Sequence, residues 1–87
     1  MYRVLVHKKV EKFLDSKDDK FVLSFWDKIK ILKKNPFDRN TNLDVVPLEG
    51  KRNHYRLRMG KYRFLYVIKK SEIIIYFYKV DTRGDIY

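Results

Sequence analysis

Eighty-seven residues with no cysteine, two histidines, 16% aromatic residues and a formal net charge of +10 describe one small domain with a dense apolar core. That composition excludes disulfide scaffolds, thiolate zinc sites, cysteine nucleophiles and an all-histidine metal cage, so neither metal nor cofactor is expected. A compact domain this basic carries self-repulsion, which favours a polyanionic partner: nucleic acid, ribosome, anionic membrane or acidic protein.

The N-terminal stretch MYRVLVHKK is too short in apolar residues for a secretion signal, and no segment is long enough to span a membrane. The expectation is a soluble cytoplasmic protein without membrane contact. Residues 2–7, YRVLVH, suit a first strand. Over residues 8–17, Val10, Phe13 and Leu14 have helical spacing. Residues 16–19 break that pattern, and Asp18 is placed to cap the next helix. There Val22, Phe25, Trp26, Ile29 and Leu32 share one face, which predicts an amphipathic helix with Phe25 and Trp26 in the core. Asn35-Pro36 ends it, because proline cannot continue the ladder.

Residues 37–53 read as polar and irregular, punctuated by Pro47 and Gly50. Residues 53–59 and 62–69 are two strand-like runs joined at Gly60-Lys61, which fits a type II′ hairpin turn with glycine first. After the polar turn Lys70-Ser71, residues 72–80 (EIIIYFYKV) are nearly continuous β-former sequence and are expected to be the most buried strand. The order is β-α-α-β-β-β. It predicts an α+β fold, with two N-terminal helices packed on one face of a mostly antiparallel four-stranded sheet, as a single domain over 1–87. The opposite face of the sheet is left free.

That free face is where the charge falls. Lys51, Arg52, His54, Arg56, Arg58, Lys61 and Arg63 lie in a stretch with no acidic residue. Strand alternation turns Tyr55, Leu57 and Met59 one way and His54, Arg56 and Arg58 the other; Arg56 and Arg58 are then roughly 7 Å apart on one face. Clustered like charges repel, so folding alone gives no reason for them. A phosphate would relieve the repulsion and give each guanidinium a bidentate partner. Such a face could cleave RNA by attack of a 2′-OH on the adjacent phosphate, with arginines stabilising the charge that builds on the non-bridging oxygens. A positioned tyrosine could orient the nucleophile, stack on a base or move a proton, and Tyr87, close to Arg83, is the candidate. His54 is a weaker candidate base, and His7 reads as structural.

The residues that carry this reading resemble the RelE/ParE toxin superfamily. They are Leu48-Glu49-Gly50, the run from Tyr55-Arg56-Leu57-Arg58-Met59-Gly60 through Lys61-Tyr62-Arg63-Phe64-Leu65-Tyr66, and the tail Val80-Asp81-Thr82-Arg83-Gly84-Asp85-Ile86-Tyr87. The resemblance implies a RelE-like fold and a type II toxin–antitoxin toxin. It would be a metal-independent endoribonuclease that cuts mRNA in the ribosomal A site and is blocked by a RelB-like antitoxin in a heteromeric complex. The family's active positions fall on Arg56, Arg58, Arg63, Arg83 and Tyr87, and the basic stretch itself offers Lys51, Arg52, His54 and Lys61 as RNA contacts. By analogy Arg63 and Arg83 hold the scissile phosphate and the leaving group. Two departures matter. The strand positions Arg56 and Arg58 are lysines in the best-known RelE pattern, and arginine is a poor general base. Some members also carry a helix beyond the position of Tyr87.

The ParE branch shares the hairpin but poisons DNA gyrase, and a non-catalytic nucleic-acid-binding module is the other alternative. The full set of four arginines and Tyr87 favours the nuclease. That reading requires guanidinium groups from separate strands and the tail to converge on one phosphodiester. It collapses if Arg58, Arg63 and Arg83 are scattered over different surfaces or locked in ion pairs with the chain's own carboxylates.

Overall fold

Side chains at the helix ends fix the N-terminal half. The structure, a computed structural model, describes residues 1–38 and 40–82. A short strand β1 (Arg3–Val6) leads into helix α1 (Lys8–Asp15), whose first turn is capped by the His7 ring accepting from the Lys9 N–H. Helix α2 (Asp19–Lys34) starts where Asp18 accepts from the Phe21 N–H at 2.9 Å, satisfying a donor the helix itself leaves open. It ends at Asn35, before proline. Four strands follow: β2 (Val45–Pro47), β3 (His54–Met59), β4 (Tyr62–Lys69) and β5 (Ile74–Thr82).

The sheet order is β1-β5-β4-β3-β2, with β1 parallel to β5 and every other pair antiparallel. The expected architecture holds, with one correction: the sheet has five strands where four were expected. The extra one, β2, is three residues long, too short for alternation to register in sequence, and Pro47 sits on it because an edge strand tolerates a missing donor. Gly60 adopts φ +61° while Lys61 stays at negative φ, as a glycine-first type II′ turn requires.

Helices α1 and α2 cover one face of the sheet. Beneath them Val10, Phe25, Ile29, Leu57, Phe64, Tyr66, Ile68 and Phe77 are essentially inaccessible to solvent. Phe25 packs on Phe64 and Phe77 at ring-centroid distances of 4.7 and 5.5 Å. Trp26 departs from expectation: it is 38% exposed, because a residue adjacent to Phe25 lies 100° around the helix from the buried stripe. Lys17 ties the α1–α2 corner to the sheet. Its ammonium donates to the Tyr62 hydroxyl at 2.6 Å and lies 4.9 Å from the centre of the Phe13 ring. No described helix is long and apolar enough to cross a membrane.

Candidate functional site

The uncovered face is built by strand alternation. With Leu57, Met59, Phe64, Tyr66 and Ile68 turned into the core, their neighbours His54, Arg56, Arg58, Arg63, Leu65 and Val67 fall on the opposite side. The tight hairpin sets the register so that Arg58 is directly opposite Arg63, and Arg56 opposite Leu65. Residues opposed in this way have Cβ atoms about 5 Å apart. Three of the five expected catalytic residues are therefore brought onto one patch. Arg83 and Tyr87 lie outside the described residues, as β5 is described to Thr82, in register with Tyr62.

The patch carries its own counter-charge, which corrects the expectation that the cluster had none. Pairing of β2 with β3 draws in Asp44: the Arg58 N–H donates to its carbonyl at 2.9 Å, and its carboxylate Oδ2 lies 2.7 Å from Arg58 Nε. Asp81 is directly opposite Arg63 on β5 and accepts from Arg63 Nε at 3.0 Å. A row Asp44–Arg58–Arg63–Asp81 thus crosses the sheet. The stretch 51–63 lacks acidic residues in sequence, yet strand pairing imports Asp44 from 14 positions before Arg58 and Asp81 from 18 positions after Arg63.

These pairs limit the arginines without disabling them. Arg58 and Asp44 are each 43% exposed, and an exposed pair of this kind is worth about 0.2–1 kcal/mol. The Arg63 pair is more enclosed, at 15% and 33%. Both contacts are made at Nε, the guanidinium nitrogen nearest the backbone, whereas the terminal nitrogens form the outer fork that grips a phosphate. Arg56 is different in kind. Its Nε is buried with no hydrogen-bond partner among the described residues. An unmatched buried donor costs about 1–3 kcal/mol, and an incoming anion is the acceptor that would remove that cost.

Two residues from Arg56 on the same face, His54 Nδ1 lies 2.9 Å from the hydroxyl of Tyr78 on β5. Burial, reinforced by the Lys51 charge, holds the His54 pKa below its ordinary value, so the ring is neutral at pH 7. Burial also pushes the Tyr78 hydroxyl upward. Lys51 and Arg52 are exposed in the loop before β3, and Lys61 is exposed in the hairpin turn. The basic residues therefore bracket both ends of β3. Among the described residues no group of three His, Asp or Glu is placed to hold a metal ion.

Four residues of this face escaped the sequence reading. Asp44 and Asp81 carry no local signal. Tyr76 and Tyr78 do: they alternate with Ile75 and Phe77, and polar-edged aromatics at i and i+2 mark the outward phase of a strand. Reading β5 as continuously buried hid them; both are half-buried. Beside the hairpin, a groove of about 580 Å³ runs along α2, floored by Phe21, Met59 and Tyr62 and edged by Lys20, Lys28 and Lys61.

Comparison with known proteins places this geometry. No family model matches the chain. The curated relative named "Putative toxin RelE1" from Methanocaldococcus jannaschii is 33% identical over 86 residues, covering 99% of this chain and 94% of its own length. The RelE of a RelE–RelB complex from Pyrococcus horikoshii has the same fold, with a TM-score of 0.81, 35% identity, and coverage of 95% of this chain and 96% of that one. The RelB–RelE complex of Methanococcus jannaschii gives 0.71 at 26% identity, over 95% and 94%. The isolated Escherichia coli RelE toxin gives 0.76 at 13% identity, over 94% and 84%, a likeness of fold alone. With a third of its residues shared along almost its full length, the chain belongs to the RelE toxin family.

Proposed function

We propose that this chain is the toxin of a type II toxin–antitoxin system, a cytoplasmic endoribonuclease that cleaves mRNA in the ribosomal A site and inhibits translation. The observation that carries the reading is the convergence of Arg56, Arg58 and Arg63 on one uncovered face, two of them directly opposed. In the proposed step the 2′-oxygen forms a bond to phosphorus as the bond to the 5′-oxygen breaks. Negative charge builds on the non-bridging oxygens, where the arginine forks meet it; a single donor of this kind is worth on the order of a hundred- to a thousand-fold in rate. The chemistry needs no metal. Arginine stays protonated, so Arg56 and Arg58 act by charge. The proton on the 2′-OH goes to Tyr87 or to a ribosomal group; His54, about 13 Å along β3 from Arg58 and tied to Tyr78, is the more remote candidate. Arg83 is assigned to the charge that develops on the leaving 5′-oxygen, which takes its proton from water or a ribosomal group.

The ion pairs do not oppose this reading on magnitude. An RNA phosphodiester brings one negative charge against the two of Asp44 and Asp81, so it competes through the outer guanidinium nitrogens and the further charge that builds during the reaction. The exposed Arg58 pair, worth under about 1 kcal/mol, is readily exchanged. The solved relatives from Pyrococcus horikoshii and Methanococcus jannaschii are RelE–RelB complexes, which supports a RelB-like antitoxin for this chain. An amphipathic helix with an acidic flank suits the groove beside α2, apolar at its floor and lysine-edged.

The test is brief expression followed by primer-extension mapping of cellular mRNA. Cuts in register with codons, lost with Arg63→Ala while ribosome binding survives, are expected. Intact mRNA with a DNA-damage response would point instead to gyrase poisoning. Weakened binding with no cleavage step to lose would leave a binding module.

A further inference from the structure

The half of the open face away from the arginine row has an aromatic character that charge stabilisation does not use. Tyr76 and Tyr78 present half-buried rings with centroids 6.4 Å apart and planes inclined at 38°. The His54 ring stands edge-on to Tyr78 at 5.5 Å and is tied to its hydroxyl, which fixes the orientation of Tyr78. The bulge in the β4–β5 pairing falls here: Leu65 pairs with Lys79 and Tyr66 with Phe77. Tyr78 is therefore the extra residue, re-aimed as bulged residues are. The surroundings are cationic. Lys69 lies 5.7 Å from the centre of the Tyr76 ring. On its other side Tyr78 joins His7, Lys9 and Lys79 around a cleft of about 550 Å³. None of these lysines has a carboxylate partner among the described residues.

We propose that Tyr76 and Tyr78, held by His54, form a stacking platform for one unpaired nucleobase of the RNA, and so select which nucleotide lies next to the cleavage site. The proposal rests on the RNA-cleaving reading and adds its base-recognition element. Spacing supports it. His54 and Arg58 are four residues apart on β3, about 13 Å at the strand rise, so platform and arginine row serve neighbouring nucleotides of a single strand. Chemistry supports it too. Rings take every base face but favour the bases that stack most strongly, which gives a modest selection, while Lys69, Lys79 and Lys9 supply backbone counter-charge, the combination by which single strands are held. A protein ligand would need a broad apolar surface to bury, and beside the rings this half of the face offers the half-buried Leu65 and Val67 within a lysine rim. Tyr78 is then a specificity-determining residue and His54 a positioning residue acting through it.

The experiment measures binding of short single-stranded RNA oligonucleotides, each with one abasic position, to the wild-type chain and to the Tyr76→Leu/Tyr78→Leu and Tyr76→Phe/Tyr78→Phe variants. Cellular cleavage sites are mapped for the same three proteins. In the wild type, removing the base at one particular position is expected to lower affinity about 5- to 100-fold, the range for one base on an aromatic ring. The leucine variant loses that position dependence and shifts the base preference of its cuts; the phenylalanine variant keeps the position dependence, which separates stacking from folding. An abasic penalty unchanged in the leucine variant, with cleavage intact, overturns the platform and leaves the nuclease standing. Position-dependent binding without cleavage overturns the nuclease and leaves the platform. No RNA binding by the wild type overturns both.

Discussion

Arg58 and Arg63 face each other across the β3–β4 pair, each flanked on its outer side by a carboxylate, Asp44 for one and Asp81 for the other. Opposed like charges destabilise a sheet, so the carboxylates hold the resting face together while competing with any phosphate for the same guanidinium groups. Stability and anion binding therefore pull in opposite directions along this row.

Asp81→Asn is expected to lower unfolding free energy by about 0.5–1 kcal/mol, and the more exposed Asp44→Asn by less than about 0.5 kcal/mol. Both variants should bind single-stranded RNA more tightly, with a steeper dependence on salt. Urea denaturation and salt-dependent binding titrations check the pair of effects. Weaker RNA binding by both variants would show that the carboxylates position the arginines for RNA and do not compete with it.

Arg56 should behave in the opposite sense. Arg56 is only partly buried, but its enclosed Nε has no partner among the described residues, and an apolar side chain of similar length removes that unmatched donor. Arg56→Met is expected to gain about 1 kcal/mol, roughly 4–8 °C in melting temperature for a domain of this size. It should lose at least a hundred-fold in cleavage. Millimolar phosphate should raise the melting temperature of the wild type by more than that of the variant, which keeps Arg58 and Arg63.

His54 carries a pH signature. Its folded pKa lies below the ordinary 6.5, so the neutral ring is the form the fold favours. Its stabilising contribution is complete above 6.5 and declines as pH falls from there toward the folded value, because the unfolded chain takes up the proton first. An NMR titration of the ring protons should give a midpoint below 6.5, moving upward in Lys51→Met. A midpoint above 6.5 would mean the ring is charged at the site.

Tyr62 should ionise below the usual 10.0, chiefly because Lys17 donates to its hydroxyl. Spectrophotometric titration of the phenol should show one early-ionising tyrosine, and Lys17→Met should return it toward 10.0. An unchanged curve would mean that the bond between the helical corner and the hairpin does not persist in solution.

Much of the fold was legible because its signals are local. The α2 stripe, the Asp18 cap and the Gly60-Lys61 turn each express themselves within a few residues, and the alternation of residues 54–59 separates Arg56 and Arg58 from Leu57. What stayed hidden depends on pairing between distant segments. Asp44 meets Arg58 only through β2, a strand of three residues, and Asp81 meets Arg63 only through the β4–β5 register. The outward tyrosines of β5 were masked by apolar neighbours on both sides.

The parallel pairing of β1 with β5 joins Arg3–Val6 to residues 74–77, the two segments furthest apart in order of synthesis among the strands. While the polypeptide is being made, β1 emerges early and has no strand partner among the described residues until β5 has emerged as well. Asp81, which flanks Arg63, arrives with that same last strand. The Arg63 end of the arginine row is therefore paired only once β5 has docked on β4, the same docking that joins the sheet to β1.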